Sequence, residues 1–128
     1  LSDVVLDASA VLAMLRGEPG GNTVAEYIGR AAISAVNLQE VAKEMLREGA
    51  SIEGVRPVLD ELGLDVRPHD REAAYAAAAL YEQTGQHGRG LGDRSCMALG
   101  LQLALPVLTA DREWAKIEVK GLTVQHLR

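Results

Sequence analysis

The chain has 128 residues, 48% of them hydrophobic, and a formal net charge of -5. That length suits one domain over residues 1–128 with its own core, and the composition excludes a disordered chain. The negative charge excludes a broad basic surface for gripping nucleic acid, so contact with a polyanion needs another positive partner, bound metal being the obvious one. With no Phe and one Trp, the core is expected to be aliphatic. Cys96 is the only cysteine, which rules out an intrachain disulfide and agrees with a reducing cytoplasm. Leu1, where Met is expected, reads as a trimmed start; Asp3 and the lack of a basic cluster are unlike a signal peptide. No apolar run approaches the ~18 residues that cross a bilayer.

Val4-Val5-Leu6 reads as a strand buried on both faces, stopping at Asp7, with a helix from Ala8 to Leu15 directly behind it. Gly17-Glu18-Pro19-Gly20-Gly21 breaks that helix, and Thr23 to Ile28 predicts a short second one. Ala31 to Ser34 is a brief strand. Val36 to Glu48 is a helix with Leu38, Val41, Ala42, Met45 and Leu46 on its apolar side, stopped by Gly49. Ser51 to Leu62 predicts a helix weakened by Gly54 and Pro57, and Leu64 to Val66 a strand closed by Pro68. From Asp70 to Gln83, Ala73, Ala76, Ala77 and Leu80 follow helical spacing in a strongly helix-forming stretch. Four glycines between Gly85 and Gly92 predict a mobile loop, after which Asp93 opens a helix through Leu105. Pro106 to Thr109 is a strand ending at Ala110-Asp111; a short helix near Glu113 to Lys116 and a last strand, Leu122 to Gln125, follow. Strands alternating with helices predict a three-layer α/β/α domain around a mostly parallel sheet.

Asp7, Glu40, Asp93 and Asp111 stand at comparable points, each at a strand end or near a helix start, where they are able to face one edge of the sheet. Carboxylates gathered without matching Lys or His suit Mg²⁺ or Mn²⁺ rather than zinc, and metals held that way promote displacement at a phosphodiester. Each acid has a structural alternative. Asp7, Asp93 and Asp111 fit helix N-caps, and Asn37-Leu38-Gln39-Glu40 fits a capping box, with Lys43 as a second partner for Glu40. Helix phase leaves Glu44, one turn beyond Glu40, as a rival.

Val5 to Ala10, then Glu40, then Leu91 to Leu99, then Leu108 to Asp111 together resemble the four signatures of PIN-domain ribonucleases, and among them VapC, the toxin of bacterial and archaeal VapBC toxin–antitoxin pairs. The resemblance runs the length of the chain in order. It implies a PIN-like α/β/α fold and a magnesium-dependent endoribonuclease, with Mn²⁺ able to substitute. It further implies a homodimer silenced by a small VapB-like antitoxin over the active-site groove. Carried over, Asp7 and Asp93 are the chief metal ligands, Glu40 and Asp111 complete the acidic site, and Ser9 and Thr109 match polar positions beside them.

The remaining features are less specific. His69, His87 and His126 lack metal-ligand spacing, and Trp114 reads as packing rather than base stacking. Arg94 and Arg112 either contact phosphate or an antitoxin carboxylate, or balance the neighbouring acids; Arg89 is an RNA contact or a solvated loop residue. Two rivals remain: a magnesium-dependent phosphatase or phosphotransferase, and a catalytically silent PIN-like module. The haloacid-dehalogenase-like form of the first needs an Asp where Ser9 stands.

Overall fold

The computed structural model describes residues 1–85 and 90–128. In chain order the elements are β1 (Val4–Leu6), α1 (Ala8–Arg16), α2 (Gly21–Ala25), β2 (Ala31–Ser34), α3 (Ala35–Arg47), α4 (Ile52–Glu61), β3 (Asp65–Arg67), α5 (Arg71–Ala79), α6 (Tyr81–Thr84), α7 (Leu91–Leu103), β4 (Val107–Thr109), a 3-10 turn (Arg112–Lys116) and β5 (Val124–His126). The strands form one sheet in the order β3-β2-β1-β4-β5, parallel throughout. Val5 lies at the centre, opposite Ala32 on one side and Val107 on the other.

The unbroken apolar runs of the inner strands follow from helices on both faces. Val4, Leu6, Ile33 and Leu108 join the core beneath α1–α4, including Val11, Val41 and Val55. Val5, Ala32 and Val107 point the other way, into a core with Ala77, Leu80, Met97, Leu99 and Trp114. This is the expected three-layer α/β/α arrangement. Trp114 is buried, as its packing role required. Among the described residues no helix is long and apolar enough to cross a membrane.

Several boundaries differ from the sequence expectation. The second helix begins earlier, at Gly21, because Gly20 takes a left-handed turn that starts it. The stretch from Asp70 to Gln83 is two helices, α5 and α6, meeting at Leu80. Ser51 caps α4, which runs through Pro57 to Glu61. The last helix starts at Leu91 rather than Asp93 and stops at Leu103 rather than Leu105, since Ala104 adopts a positive φ of 55°. Pro106 favours extended geometry for Leu105, which ends the helix. The third and last strands each fall one or two residues later than read, at Asp65–Arg67 and Val124–His126. The glycine loop's centre, with His87 and Arg89, lies outside the described residues.

The strand order reverses between β1 and β4, so the crevice beyond their C-terminal ends is the topological switch point, the usual ligand position in open α/β sheets. α7 packs tightly over this half of the sheet: a Cβ on Gly100 would run into Val107 Cγ2. Gly100→Ala is therefore expected to destabilise the protein. Overpacking of about 1–3 kcal/mol exceeds the ~1 kcal/mol helix-propensity gain of Ala. Denaturant titration checks this; unchanged or higher stability would contradict such close packing.

Candidate metal-binding site

Asp7 leaves β1 in extended geometry and occupies the N-cap position of α1, yet its side chain makes no capping hydrogen bond. Instead the Ser9 hydroxyl donates to Asp7 Oδ2 at 2.7 Å and the Thr109 hydroxyl donates to the same oxygen at 3.0 Å. Ser9 Oγ in turn accepts the Ala110 backbone N–H at 2.9 Å, and Thr109 Oγ1 accepts that of Asp111 at 3.1 Å. This network joins the ends of β1 and β4 and orients a carboxylate that is 4% exposed.

Glu40 arrives from the opposite side of the crevice. Ser34, not Asn37, caps α3, accepting from Val36 N, which places Glu40 in the second turn of the helix rather than in a capping box. Asn37 is fully buried and bridges two elements. Its Nδ2 donates to Glu40 Oε1 at 2.8 Å and to the Gly92 carbonyl at 3.0 Å. A Cβ on Gly92 would run into the Glu40 carboxylate, so a larger residue there would push Glu40 out of its present place. Asp93 follows in the first turn of α7, whose N-cap is Gly90, so Asp93 is not the helix cap the sequence allowed.

Burial is the main cause of a rise in the Asp7 pKa from 3.8 to about 6; Asp93 and Glu40 push it the same way, against the Ser9 and Thr109 hydrogen bonds. The same acids and burial raise the thiol of Cys96 well above its ordinary range, which keeps this cysteine protonated and inert. Asp7 thus feels the negative charge of both Glu40 and Asp93.

The other expected residues divide around this centre. Asp111 lies at the same sheet edge and caps the 3-10 turn, its Oδ1 accepting Glu113 N at 3.0 Å. Glu44 turns to the surface, where Arg47 and Lys43 lower its pKa to about 2 and Arg16 stands 3.6 Å away. The acid that joins Asp7 is therefore Glu40. Arg94 donates to Thr84 Oγ1 at 3.1 Å and to the Gly85 carbonyl at 3.0 Å, while Arg112 is exposed. Asn37 and Gly92 were missed as site residues. The signal for Asn37 was available, since it stands four residues before Val41 on the apolar side of α3.

An oxygen-only donor set whose innermost acid resists ionisation fits a hard divalent cation, Mg²⁺ or Mn²⁺. Among the described residues no three His, Cys, Asp or Glu side chains form a closed ligand cluster. Asp7 senses Asp93 and Glu40 through space.

An all-parallel α/β domain with acids collected at its switch point defines the class. The chain belongs to the PIN-domain family, whose sequence model matches residues 4–120. No curated protein sequence matches it. Its fold is similar to that of DNA-bound VapBC from Salmonella typhimurium, with a TM-score of 0.74 and 17% identity over 100% of both chains. A toxin–antitoxin complex from Klebsiella pneumoniae gives a TM-score of 0.74 and 16% identity over 98% of each chain. VapBC-5 from Mycobacterium tuberculosis, of the VapBC toxin–antitoxin family, gives 0.59 and 26%, again over 98% of each.

The raised Asp7 pKa has a definite sign in stability. Below pH 3.8 the carboxyl is protonated folded or unfolded; as pH rises through about 6 the folded protein alone must be forced to ionise, and stability is lost. The rise from 3.8 to about 6 corresponds to about 3 kcal/mol. In chelator, Asp7→Asn should therefore gain on wild type by up to about that much between pH 4 and pH 7.5. Denaturant titrations across pH check it; a difference independent of pH would contradict the buried, repelled carboxylate.

Proposed function

We propose that the chain is a VapC-type toxin: a magnesium-dependent endoribonuclease of the cytoplasm, homodimeric and paired with a VapB-like antitoxin. The observation that carries this reading is the nearness of Glu40 and Asp93 to buried Asp7, whose pKa is raised to about 6. Membership of the PIN family and the likeness to VapBC structures support it.

In this reading Asp7 and Asp93 are the principal ligands of the ion, with Glu40 and Asp111 completing the acidic site. These residues would hold a divalent cation, which would supply Lewis-acid chemistry toward water and the phosphate. Ser9 and Thr109 fix the Asp7 carboxylate through one oxygen, Oδ2, so its orientation is set before RNA arrives. Asn37 holds Glu40 against the first turn of α7 and so sets the distance between the acids of α3 and α7. Negative charge at this centre opposes RNA, and a cation held there would offset that repulsion. A cationic side chain of the antitoxin, Arg or Lys, would satisfy the same centre and exclude both metal and RNA.

RNA cleavage by the full chain should vanish in chelator and return with Mg²⁺ or Mn²⁺. Glu40→Gln should lower the rate on the order of 100-fold, the scale of losing one electrostatic group in an active site, while Glu44→Gln leaves it nearly unchanged. Full activity in chelator, or equal losses from the two substitutions, would contradict the assignment.

A further inference from the structure

We infer that Arg94 is a positioning residue for the metal site: tied to the end of α6, its side chain holds the first turn of α7 and with it the place of Asp93 near Asp7; this rests on the nuclease reading above. The need for a tie follows from how α7 begins. Its N-cap is Gly90, with φ 140° and no side chain to accept the first backbone N–H groups, and Gly92 stands inside the same turn. Glycine is a poor helix former and an uncapped end frays, so local structure alone leaves this turn loose. Asp93 nevertheless sits in it.

Two ties from elsewhere in the fold make up for the missing cap. On one side Asn37 donates to the Gly92 carbonyl at 3.0 Å. The other tie is Arg94, about 100° round the helix from Asp93. Its Nε donates to Thr84 Oγ1 at 3.1 Å and its Nη2 to the Gly85 carbonyl at 3.0 Å, with the guanidinium carbon 5.3 Å from the centroid of the Tyr81 ring. Thr84 is itself anchored: it is buried, and its hydroxyl donates to the Leu80 carbonyl at 2.9 Å. Leu80 belongs to the core that α7 shares, and beside Thr84 the Gln83 Oε1 accepts the Lys120 backbone N–H at 2.9 Å. Arg94 therefore grips a part of the molecule that is fixed from two directions. Both of its acceptors are neutral, so the link depends on a planar fork of donors rather than on charge, and a fork is what Lys lacks. The same bonds engage donors that a contact with phosphate would need.

The test uses the full chain as wild type, Arg94→Gln, Arg94→Lys, Thr84→Val and the double variant of Arg94→Gln with Thr84→Val. Three quantities are measured: Mn²⁺ affinity without RNA by titration calorimetry, RNA cleavage as kcat and KM, and hydrogen exchange at the backbone amides of residues 94–96. Arg94→Gln should weaken Mn²⁺ binding and lower kcat by about 10-fold each, the low end for groups that orient metal ligands, with KM for RNA nearly unchanged. Exchange at residues 94–96 should quicken by about the same factor, while the last turns of α7 keep wild-type rates. Arg94→Lys should restore none of this. Thr84→Val leaves the charge in place yet should shift all three quantities the same way, and it should cost less in the Arg94→Gln background than alone. Full rescue by Lys would overturn the proposal in favour of charge, and a rise in KM alone would overturn it in favour of a phosphate contact. A folded Thr84→Val with wild-type Mn²⁺ affinity and exchange would overturn it even where Arg94→Gln does not fold. A wild type that binds no Mn²⁺ and leaves RNA uncut would remove the nuclease reading, and exchange at residues 94–96 would then decide the tie by itself.

Discussion

Burying one carboxylate at the end of the central strand is the constraint to which the rest of this domain answers. Asp7 is 4% exposed, at the switch point of a five-stranded parallel sheet, with Glu40 and Asp93 adding negative charge around it. A lone buried carboxylate is normally avoided or paired with a cation. Here it accepts two hydroxyl hydrogen bonds, from Ser9 and Thr109, which lessen the burial penalty without cancelling it. The remaining deficit is useful only to a protein that recruits positive charge from outside.

The parallel sheet supplies the means to carry that deficit. α1 and α3 directly follow β1 and β2, and α7 runs down the sheet into β4, so the N-termini of all three collect near the acids, and their partial positive charge favours carboxylates there. Two of those helices belong to different layers: α3 packs with the α1–α4 core and α7 with the opposite one. Asn37 ties them across the crevice through Glu40 and the Gly92 carbonyl. The absence of a side chain at Gly92 permits the approach. Glu44, one turn further along α3, shows the contrast: surrounded by Arg16, Lys43 and Arg47, it is already neutralised and has no need of an ion.

Much of the fold was legible because its signals are local. Continuous apolar runs at Val4–Leu6 and Ala31–Ile33 mark strands covered on both faces, and Gly-Pro clusters mark the breaks. The choice between capping and site roles was not legible, because an acid at a helix start has the same local sequence in either role. Geometry separates them: Asp7 makes no capping bond, α3 is capped by Ser34, α7 begins two residues before Asp93, and only Asp111 caps its following turn. Helix starts shifted because Gly90 and Ser34 offered earlier entry points than the acids themselves. Asn37 could be read as buried from its place on the apolar side of α3, but its partner could not: the Gly92 carbonyl it binds is far off in sequence.

The account's central claim is that the negative charge gathered around buried Asp7 is offset by a divalent cation. Four melting curves test it most directly: wild type and Glu40→Gln, which keeps an acceptor for Asn37 while removing charge beside Asp7, each in chelator and in Mg²⁺. After screening and proton uptake the repulsion removed by the substitution is on the order of 1 kcal/mol. The account predicts a mutant that melts higher than wild type in chelator, and a wild type that gains more from Mg²⁺ because it keeps the full ligand set. A mutant no more stable than wild type in chelator, with no magnesium-dependent difference between them, would contradict it.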